Sequence, residues 1–571
     1  MSEELQAKAK RAQKRVLDSI PPRWILPADV KAKVTKSDVR SIIPSCGLLS
    51  AAQIDIINQN ASEVVQKLAE GEWKATEVME AFCASAAVAH QIVNCLVEFF
   101  PDEAMARARQ LDRQLAETKT PAGPLHGLPM AIKDTHEVKG KSFTWAFSTW
   151  LDRPAADADS SGVKIMRDAG VIFFARTTMP QTGMALETVS PLWGRTLNPF
   201  NPAVFGAGGS SGGDGALVAM RGSPASGLST DIGGSIRAPA AFNGLYGIRP
   251  TSERTPRTGL GAPVKGNVSI KVSTGPLCHS MTDLKMLVKL LLTHPTLPYE
   301  PTACLPFWDE MAASNPRKNL RIGLMLTDGV VDPHPPVSRA LEEVCTRLKA
   351  AGHTLVEFRP PFDCWEAALT TWALYFQTGA AETLGLLEAG GEKPIPVFAH
   401  YLKTFNIKPL TVTEQFRHNA SMAAYKAAFQ RSWDAADGAY DCIICPSAPM
   451  AGVPHDFPLW WGYTTLWNLL DYPSIIMPLK GFTISSQQDP KAAGYSPRSN
   501  PFDRANWEIC KFLESCRELN VLIMRPPDDP EMWKTQPMTF QIVSRPYRDE
   551  DLINVSEVID GVVNTANMPR L

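Results

Sequence analysis

The sequence predicts an α/β fold, in which helices alternate with the strands of a mixed or parallel β-sheet. Length is the first reason, because 571 residues exceed what one small core needs and fit either one large domain with insertions or two closely packed units. The periodicity of apolar residues is the second reason. These residues recur at helical spacing over 61–118, and helix-like and strand-like segments alternate after that point.

The first half of the chain predicts a helical layer followed by alternating elements. An arm and helix over residues 1–60 precede the helical region 61–118, where helix breakers are few. Beyond it we expect a strand, a helix and a second strand, at 128–132, 161–168 and 171–175.

The second half begins with a change of pattern. Residues from about 300 to 440 carry long apolar runs, which predict a mostly helical insertion or lid. Strand-like segments return at 441–445 and 472–478, and a loop rich in Pro, Ser and Gln follows at about 484–503.

Composition argues against several classes of function. The formal net charge is -2 and charged residues make up 20%, so no surface for nucleic acid is expected. The N-terminus lacks the apolar segment of a secretory signal, and no stretch approaches about 18 uncharged apolar residues. We therefore expect no membrane span and a soluble, cytoplasmic protein.

The cysteines indicate reduced thiols. The chain has 11 of them, an odd number without the spacing of a disulfide framework. Cys442 and Cys445 form a C-x-x-C pair, but their apolar surroundings predict a buried strand, and no second ligand pair has zinc-like spacing. The sequence therefore predicts neither a metal nor a cofactor.

Lys133 is the first candidate for a catalytic role. It ends the apolar segment Gly127-Leu-Pro-Met-Ala-Ile-Lys133, where burial would disfavour the ammonium form and lower the pKa. A base that works near neutral pH needs a pKa about two to three units below its usual value, a difference of about 3–4 kcal/mol. A lysine at the end of a strand is, by itself, better explained by exposure to solvent.

Two segments rich in Gly and Ser supply candidate hydroxyls. Residues 206–215 do not match the nucleotide-binding templates, since no Lys-Ser/Thr pair follows and the dinucleotide spacing is broken. The glycines before Ser210 and Ser235 instead permit backbone conformations that can aim a hydroxyl into a cavity. In 232–235, small residues also let consecutive N–H groups approach a carbonyl as an oxyanion hole.

Together and in this order, the three segments resemble the amidase signature family. The motifs Gly208-Gly-Ser-Ser-Gly-Gly213 and Asp231-Ile-Gly-Gly-Ser-Ile-Arg237 are similar to the two halves of its defining motif, and the segment ending in Lys133 is similar to its lysine motif. Further similarity, at Gly244-Leu-Tyr-Gly-Ile-Arg249 and Asp471-Tyr-Pro473 among others, extends over most of the chain. Within the family, the sequence is most similar to fungal acetamidases and, more distantly, to fatty acid amide hydrolases.

The resemblance implies both a fold and an activity. The fold would be a central mixed β-sheet covered by helices on both faces, with an N-terminal helical layer and helical insertions, as a single domain over 61–571. The activity would be hydrolysis of a small-molecule amide to the acid and ammonia or amine, and a homodimer is a reasonable expectation. The alternatives are a glutamine-hydrolysing amidotransferase subunit, and an esterase or biosynthetic acyl-transfer enzyme.

The resemblance also implies a triad of serine, cis-serine and lysine. Ser235 would be the nucleophile, Lys133 the base, and Ser210 the relay after a cis peptide from Gly209. The interval from Ser210 to Ser235 is 25 residues, one longer than is typical of the family, which leaves Ser211 as an alternative relay. We expect the additional residue near 225–227.

The remaining site residues are expected to stabilise charge, bind substrate or support the loop. The family's oxyanion hole corresponds to the N–H groups of Ile232, Gly233, Gly234 and Ser235. Asp231, Arg237 and Ser211 would support the loop by buried polar contacts. Candidates for substrate contact are Gly209, Met184, Trp193, Trp461 and Trp467, although core packing explains Trp461 and Trp467 equally well. His126 and His136 flank Lys133, but no carboxylate is evident that would orient either as a base.

Overall fold

The main feature of the fold is a mixed sheet whose strands come from distant parts of the chain. The computed structural model describes residues 2–32, 38–293, 300–302, 308–315, 317–434, 439–485, 487–489, 496–510 and 532–564. Its strands are β1 (Leu96–Phe99), β2 (Pro129–Lys133), β3 (Ile172–Thr177), β4 (Val189–Ser190), β5 (Gly194–Arg195), β6 (Phe205–Gly206), β7 (Ala225–Asp231), β8 (Tyr246–Arg249), β9 (Ser273–Cys278), β10 (Arg321–Leu324), β11 (Thr354–Glu357), β12 (Cys442–Pro446), β13 (Val453–Pro454), β14 (Ser474–Pro478) and β15 (Thr539–Val543).

Eight of these strands form the central sheet, in the order β11-β10-β12-β15-β14-β8-β9-β7. Strand β10 pairs in parallel with β11 and β12, whereas the pairs from β12 to β7 are antiparallel, so the sheet is mixed as expected. Strands β10 and β11 lie inside the segment predicted to be mostly helical. They have four residues each and form one edge of the sheet, and β11 has no fully buried residue that would mark it in the sequence.

A smaller sheet carries the lysine motif. Its strands have the order β1-β3-β2, and β2 packs beside β7 at the edge of the central sheet. The strands predicted at 128–132 and 171–175 are confirmed as β2 and β3. The register between β7 and β9 shifts between Ser226 and Ser229, a bulge near the place where the additional residue is expected.

The helices surround these sheets. They are α1 (Glu3–Asp18), α2 (Ala28–Ala32), α3 (Ile42–Ser45), α4 (Ala51–Asn58), α5 (Ala61–Ala69), α6 (Ala75–Val93), α7 (Pro101–Thr118), α8 (Ser161–Asp168), α9 (Gly212–Ala219), α10 (Arg237–Phe242), α11 (Met281–Thr293), α12 (Glu310–Ser314), α13 (Pro335–Ala350), α14 (Cys364–Tyr375), α15 (Ala381–Ala389), α16 (Pro396–Thr404), α17 (Val412–Asp434), α18 (Gly462–Leu470), α19 (Pro501–Cys510) and α20 (Asp549–Asn564). The predicted helical layer consists of α5, α6 and α7, with β1 between the last two. The alanine-rich α6 is buried on nearly all sides.

Two neighbouring residues of β8 show that helices cover both faces of the central sheet. The Tyr246 hydroxyl donates to Asp560 of α20, at 2.6 Å. At Gly247 a Cβ atom would lie 2.8 Å from the Cβ of Ala240 in α10. Because successive residues of a strand point to opposite faces, α20 and α10 lie on opposite sides of the sheet.

Three other predictions concern the surroundings of the sheet. In the described ranges, no helix is both long and apolar enough to cross a bilayer. Cys442 and Cys445 are buried in β12, as their surroundings predict. The loop predicted at about 484–503 lies partly outside the described residues, and its last part is already helical from Pro501. A boundary near residue 60 stays a prediction.

Candidate active site

Lys133 ends β2 with its side chain fully buried. Its Nζ lies 2.7 Å from Ser210 Oγ, 2.9 Å from Ser211 Oγ, 2.8 Å from Thr230 Oγ1 and 3.2 Å from the Thr230 carbonyl oxygen. Burial lowers the pKa of Lys133 to about 7, although nearby carboxylates act in the opposite direction. A substantial fraction of this amine is therefore neutral, and able to accept a proton, near pH 7.

The two serines beside Lys133 have different surroundings. The Ser211 hydroxyl also donates to the Thr230 carbonyl, at 3.3 Å, and the Ser211 N–H donates to the Ser235 carbonyl, at 3.1 Å. Ser210 follows Gly209, which has a positive φ of 44°. A Cβ atom at Gly209 would lie 3.1 Å from the Cα of Ser235. The glycine thus brings the segment of Ser210 directly against that of Ser235.

Asp231 and Arg237 hold the loop that carries Ser235. Both side chains are fully buried, and Asp231 Oδ1 lies 3.0 Å from Arg237 Nη2. Asp231 also accepts hydrogen bonds from the backbone N–H groups of Gly234, at 2.9 Å, and Ile236, at 3.1 Å. Burial acts to raise the pKa of Asp231, but the Arg237 guanidinium and the hydrogen bonds hold it below its usual range. The carboxylate is therefore charged and organises the turn.

Three further residues touch the site and were not found from the sequence. Thr230 contacts Lys133, as described above, and precedes the recognised motif by one position. Tyr375 of α14 donates its hydroxyl to the Ile232 carbonyl, at 2.5 Å, and Thr464 of α18 donates to the Gly233 carbonyl, at 2.7 Å. These last two lie far along the chain from the loop, so no local pattern could reveal them.

Of the predicted substrate contacts, Trp461 lies beside the serine loop and Trp467 does not. A Cβ atom at Gly233 would lie 3.0 Å from the Trp461 ring. Trp467 is fully buried and packs against Phe429 and Tyr472, with ring centroids 5.7 Å and 6.4 Å away. Its surroundings are those of a core residue.

Met184 and Trp193 occupy the region between the lysine and serine motifs. Met184 is partly buried and lies two residues after Thr182, which has a positive φ of 68°. Trp193 is buried, and its indole N–H donates to the hydroxyl of Thr144, at 3.0 Å. Thr144 in turn donates to Asp134, at 2.5 Å, so Trp193 contacts the segment that follows Lys133.

The two histidines near Lys133 have structural surroundings. His136 lies 2.8 Å from the Leu228 carbonyl and 3.2 Å from Ser160 Oγ, and burial lowers its pKa to about 3. His126 accepts the N–H of Ala122, at 2.9 Å. Neither set of hydrogen bonds involves a serine of the two Gly- and Ser-rich segments, whereas Lys133 contacts both Ser210 and Ser211.

The buried lysine contacts two serines, and the glycine before them packs against the turn that carries Ser235. The comparisons with known proteins identify the class of enzyme that has this fold and these motifs. The chain matches the amidase family over residues 77–553. It is 46% identical to an amidase of Gibberella zeae over 564 residues, which cover 97% of this chain and 98% of that protein. It is 35% identical to an acetamidase of Aspergillus oryzae, with 96% and 97% of the two chains covered.

The fold agrees with these sequence matches. A solved fatty acid amide hydrolase superposes with a TM-score of 0.87 at 26% identity, covering 99% of this chain and 97% of that one. A 6-aminohexanoate cyclic dimer hydrolase has the same fold, with a TM-score of 0.68. The chain belongs to the amidase signature family. It is an amidase, an enzyme that hydrolyses carboxylic amides.

Proposed function

We propose that this amidase works through an acyl-enzyme on Ser235, with Ser210 as proton relay and Lys133 as base. The observation that carries the proposal is the contact of the fully buried Lys133 with Ser210, whose Oγ lies 2.7 Å from Lys133 Nζ. The residue before Ser210, Gly209, packs against Ser235. The lowered pKa of Lys133 supports its role as a proton acceptor near neutral pH.

Acylation begins with two coupled proton transfers. Neutral Lys133 accepts the proton of Ser210 while Ser210 Oγ accepts that of Ser235, and Ser235 Oγ attacks the amide carbonyl carbon. The C=O π electrons move onto oxygen, and N–H groups of the serine loop stabilise the negative charge. When the C–N bond breaks, Ser210 donates a proton to the leaving nitrogen and takes one back from the Lys133 ammonium.

Deacylation repeats these steps with water. A water molecule gives a proton to the Ser210 and Lys133 pair and adds to the ester carbonyl of acyl-Ser235. Collapse of the second tetrahedral intermediate releases the carboxylic acid and returns the proton to Ser235. Amide and water are consumed, acid and ammonia or amine are formed, and the enzyme is unchanged.

The hydrogen bonds of the two serines favour Ser210 as the relay. Ser211 is engaged with Lys133 and with the Thr230 carbonyl, which holds its hydroxyl in a supporting position. Ser210 is bonded to Lys133 and directly follows Gly209, which packs against Ser235. A relay needs one partner for each of its two proton transfers, and in the proposed mechanism these are Lys133 and Ser235.

The similarity to acetamidases suggests a short linear amide as the first substrate to test. Trp461, beside Gly233, is the best-placed aromatic side chain for contact with the acyl group, and Met184 and Trp193 are less direct candidates. A cytoplasmic location and a homodimer stay predictions.

Ammonia release tests the proposal. The enzyme and its Ser235→Ala variant would be assayed with acetamide, benzamide and glutamine, the last with and without tRNA and ATP. We expect turnover of a simple amide, and a loss of about a million-fold or more in kcat for Ser235→Ala. Turnover of glutamine alone would favour the amidotransferase alternative, and an active Ser235→Ala variant would exclude Ser235 as nucleophile.

A further inference from the structure

The peptide groups of the serine loop define which N–H groups can bind an oxyanion. In a trans peptide, the carbonyl of one residue and the N–H of the next point in opposite directions. A contact that fixes a carbonyl on one side of the loop therefore also fixes the direction of the following N–H on the other side.

Each carbonyl of residues 232–234 accepts a hydrogen bond from a different element. The donors come from α14, from α18 and from the first turn of α10. The bonds are Tyr375 Oη to the Ile232 carbonyl at 2.5 Å, Thr464 Oγ1 to the Gly233 carbonyl at 2.7 Å, and Ala238 N–H to the Gly234 carbonyl at 2.7 Å.

One N–H of the loop already has a partner within the loop. The Gly234 N–H donates to Asp231 Oδ1, at 2.9 Å. The N–H groups of Gly233 and Ser235 belong to the peptides whose carbonyls are held by Tyr375 and Ala238. These two groups point away from their bound carbonyls, so the contacts of Tyr375 and Ala238 fix the direction in which each can meet an oxyanion.

We propose that Tyr375 is a positioning residue, whose hydroxyl holds the Ile232 carbonyl so that the Gly233 N–H points at the oxyanion. The inference rests on the proposed function and refines the oxyanion hole predicted from the sequence. Gly233 and Ser235 supply the N–H donors, whereas Gly234 supplies a backbone conformation, with a positive φ of 122°, and an N–H that stabilises the loop.

The surroundings of Tyr375 support such a role. The side chain is buried, and burial raises the pKa of its hydroxyl, which therefore stays protonated and able to donate. A Cβ atom at Gly233 would lie 3.1 Å from Tyr375 Oη, so the close approach requires glycine at this position. Because α14 belongs to the long insertion, packing of the insertion is coupled to the geometry of the site.

Tyr375→Phe removes this hydrogen bond and retains the ring. We expect kcat for an amide to fall about tenfold to a hundredfold with little change in KM, because the lost alignment matters most in the transition state. The affinity for a trifluoromethyl ketone, which forms a charged tetrahedral adduct with the serine, should fall by a similar factor. The concentration of active enzyme is measured by complete titration with a fluorophosphonate, and rates are expressed per active site. A partly unfolded sample therefore does not lower the measured kcat.

Tyr246→Phe is the matched control. Tyr246 is also buried, and its hydroxyl donates to Asp560 of α20, at 2.6 Å, on the face of the central sheet opposite to α10. We expect a similar loss of thermal stability and less than about a twofold change in ketone affinity. Equal ketone affinities for the two variants would overturn the role of Tyr375. That result leaves the proposed function intact, since the role of Ser235 as nucleophile is tested separately by Ser235→Ala.

Discussion

At the scale of single residues, the environment of Lys133 sets the pH at which the enzyme can work. The amine has four oxygens within hydrogen-bonding distance and no access to solvent, and this burial lowers its pKa to about 7. Serine and threonine hydroxyls can accept from the ammonium form or donate to the neutral amine, so they adapt to either state.

This environment predicts the pH dependence of the reaction. The proposed base acts only when neutral, so kcat/KM for an amide should rise as pH increases through about 7 and level off above it. A profile of kcat/KM over about pH 5–9 measures the effect. In Lys133→Ala we expect a much lower rate without this rise. A wild-type profile that is flat across the range would contradict Lys133 as the base.

The same lowered pKa affects stability. An unfolded lysine binds its proton up to a pH near the usual value of 10.5, whereas folded Lys133 releases it at about 7. Between these values the unfolded state binds more protons, so this group makes the free energy of unfolding increase as pH rises. Compared with Lys133→Met, the wild type should gain stability from about pH 7 to pH 10 in urea unfolding. Parallel curves for the two proteins would show that the pKa is not lowered.

Separate substitutions of the two adjacent serines should distinguish the proposed relay from the serine that supports it. Ser210→Ala removes the proposed relay hydroxyl, and we expect the acylation rate to fall by about a thousandfold or more. Ser211→Ala removes one partner of Lys133 and one bond to the Thr230 carbonyl, with an expected loss nearer tenfold. The two variants are compared by their single-turnover rates of acylation by an activated ester. A larger loss in Ser211→Ala than in Ser210→Ala would assign the relay to Ser211.

At the scale of elements, the glycines of the serine motif allow α9 to pack against the end of β3. A Cβ atom at Gly213 would lie 2.5 Å from both the backbone N and the carbonyl oxygen of Thr178. Such a contact with backbone cannot be relieved by a change of rotamer.

Gly213→Ala should therefore destabilise the protein by about 1–3 kcal/mol or more. Gly385→Ala is the control, because Gly385 is exposed in α15 and a Cβ atom there would meet nothing within 4 Å. That change replaces glycine by a better helix former and should stabilise by up to about 1 kcal/mol. Urea unfolding of both variants tests the comparison, and a neutral Gly213→Ala would contradict the packing.

The elements that the sequence predicted are those with strong local signals. Helix α8 has the predicted bounds, and strands β2 and β3 differ from prediction by one or two residues. Strands β10 and β11 were missed because each has only four residues, and β11, at the edge of the sheet, has no fully buried residue. Tyr375 and Thr464 were missed for another reason. Their roles depend on contacts between distant parts of the chain, which no sequence periodicity records.

At the scale of the whole molecule, Arg237 joins distant parts of the fold beneath the serine loop. Its guanidinium pairs with Asp231 and donates to the Thr464 carbonyl at 2.9 Å, to Asn468 at 2.6 Å and to Gln541 at 3.1 Å. These partners lie on β7, α18 and β15. The buried ion pair therefore connects the site to the middle of the central sheet.

Breaking this pair should affect both folding and activity. Arg237→Met leaves Asp231 buried without its cation, which we expect to lower the free energy of unfolding by about 3–5 kcal/mol. Adding Asp231→Asn removes the buried charge and should restore part of that stability, but not the activity, because Asn has only one acceptor oxygen for the N–H groups of Gly234 and Ile236. Thermal unfolding and amide turnover of the single and double variants test these expectations. A double variant less stable than Arg237→Met would contradict the role of the buried charge.

The identity of the acylated residue tests the mechanism most directly. Lys133 and Ser210 can have their proposed roles only if Ser235 carries the acyl group. Rapid acid quenching during turnover of an activated ester, followed by peptide mapping by mass spectrometry, locates that group. The mechanism predicts an acyl group on Ser235, and none in Ser235→Ala. An acyl group on any other residue, at a rate that supports turnover, would contradict it.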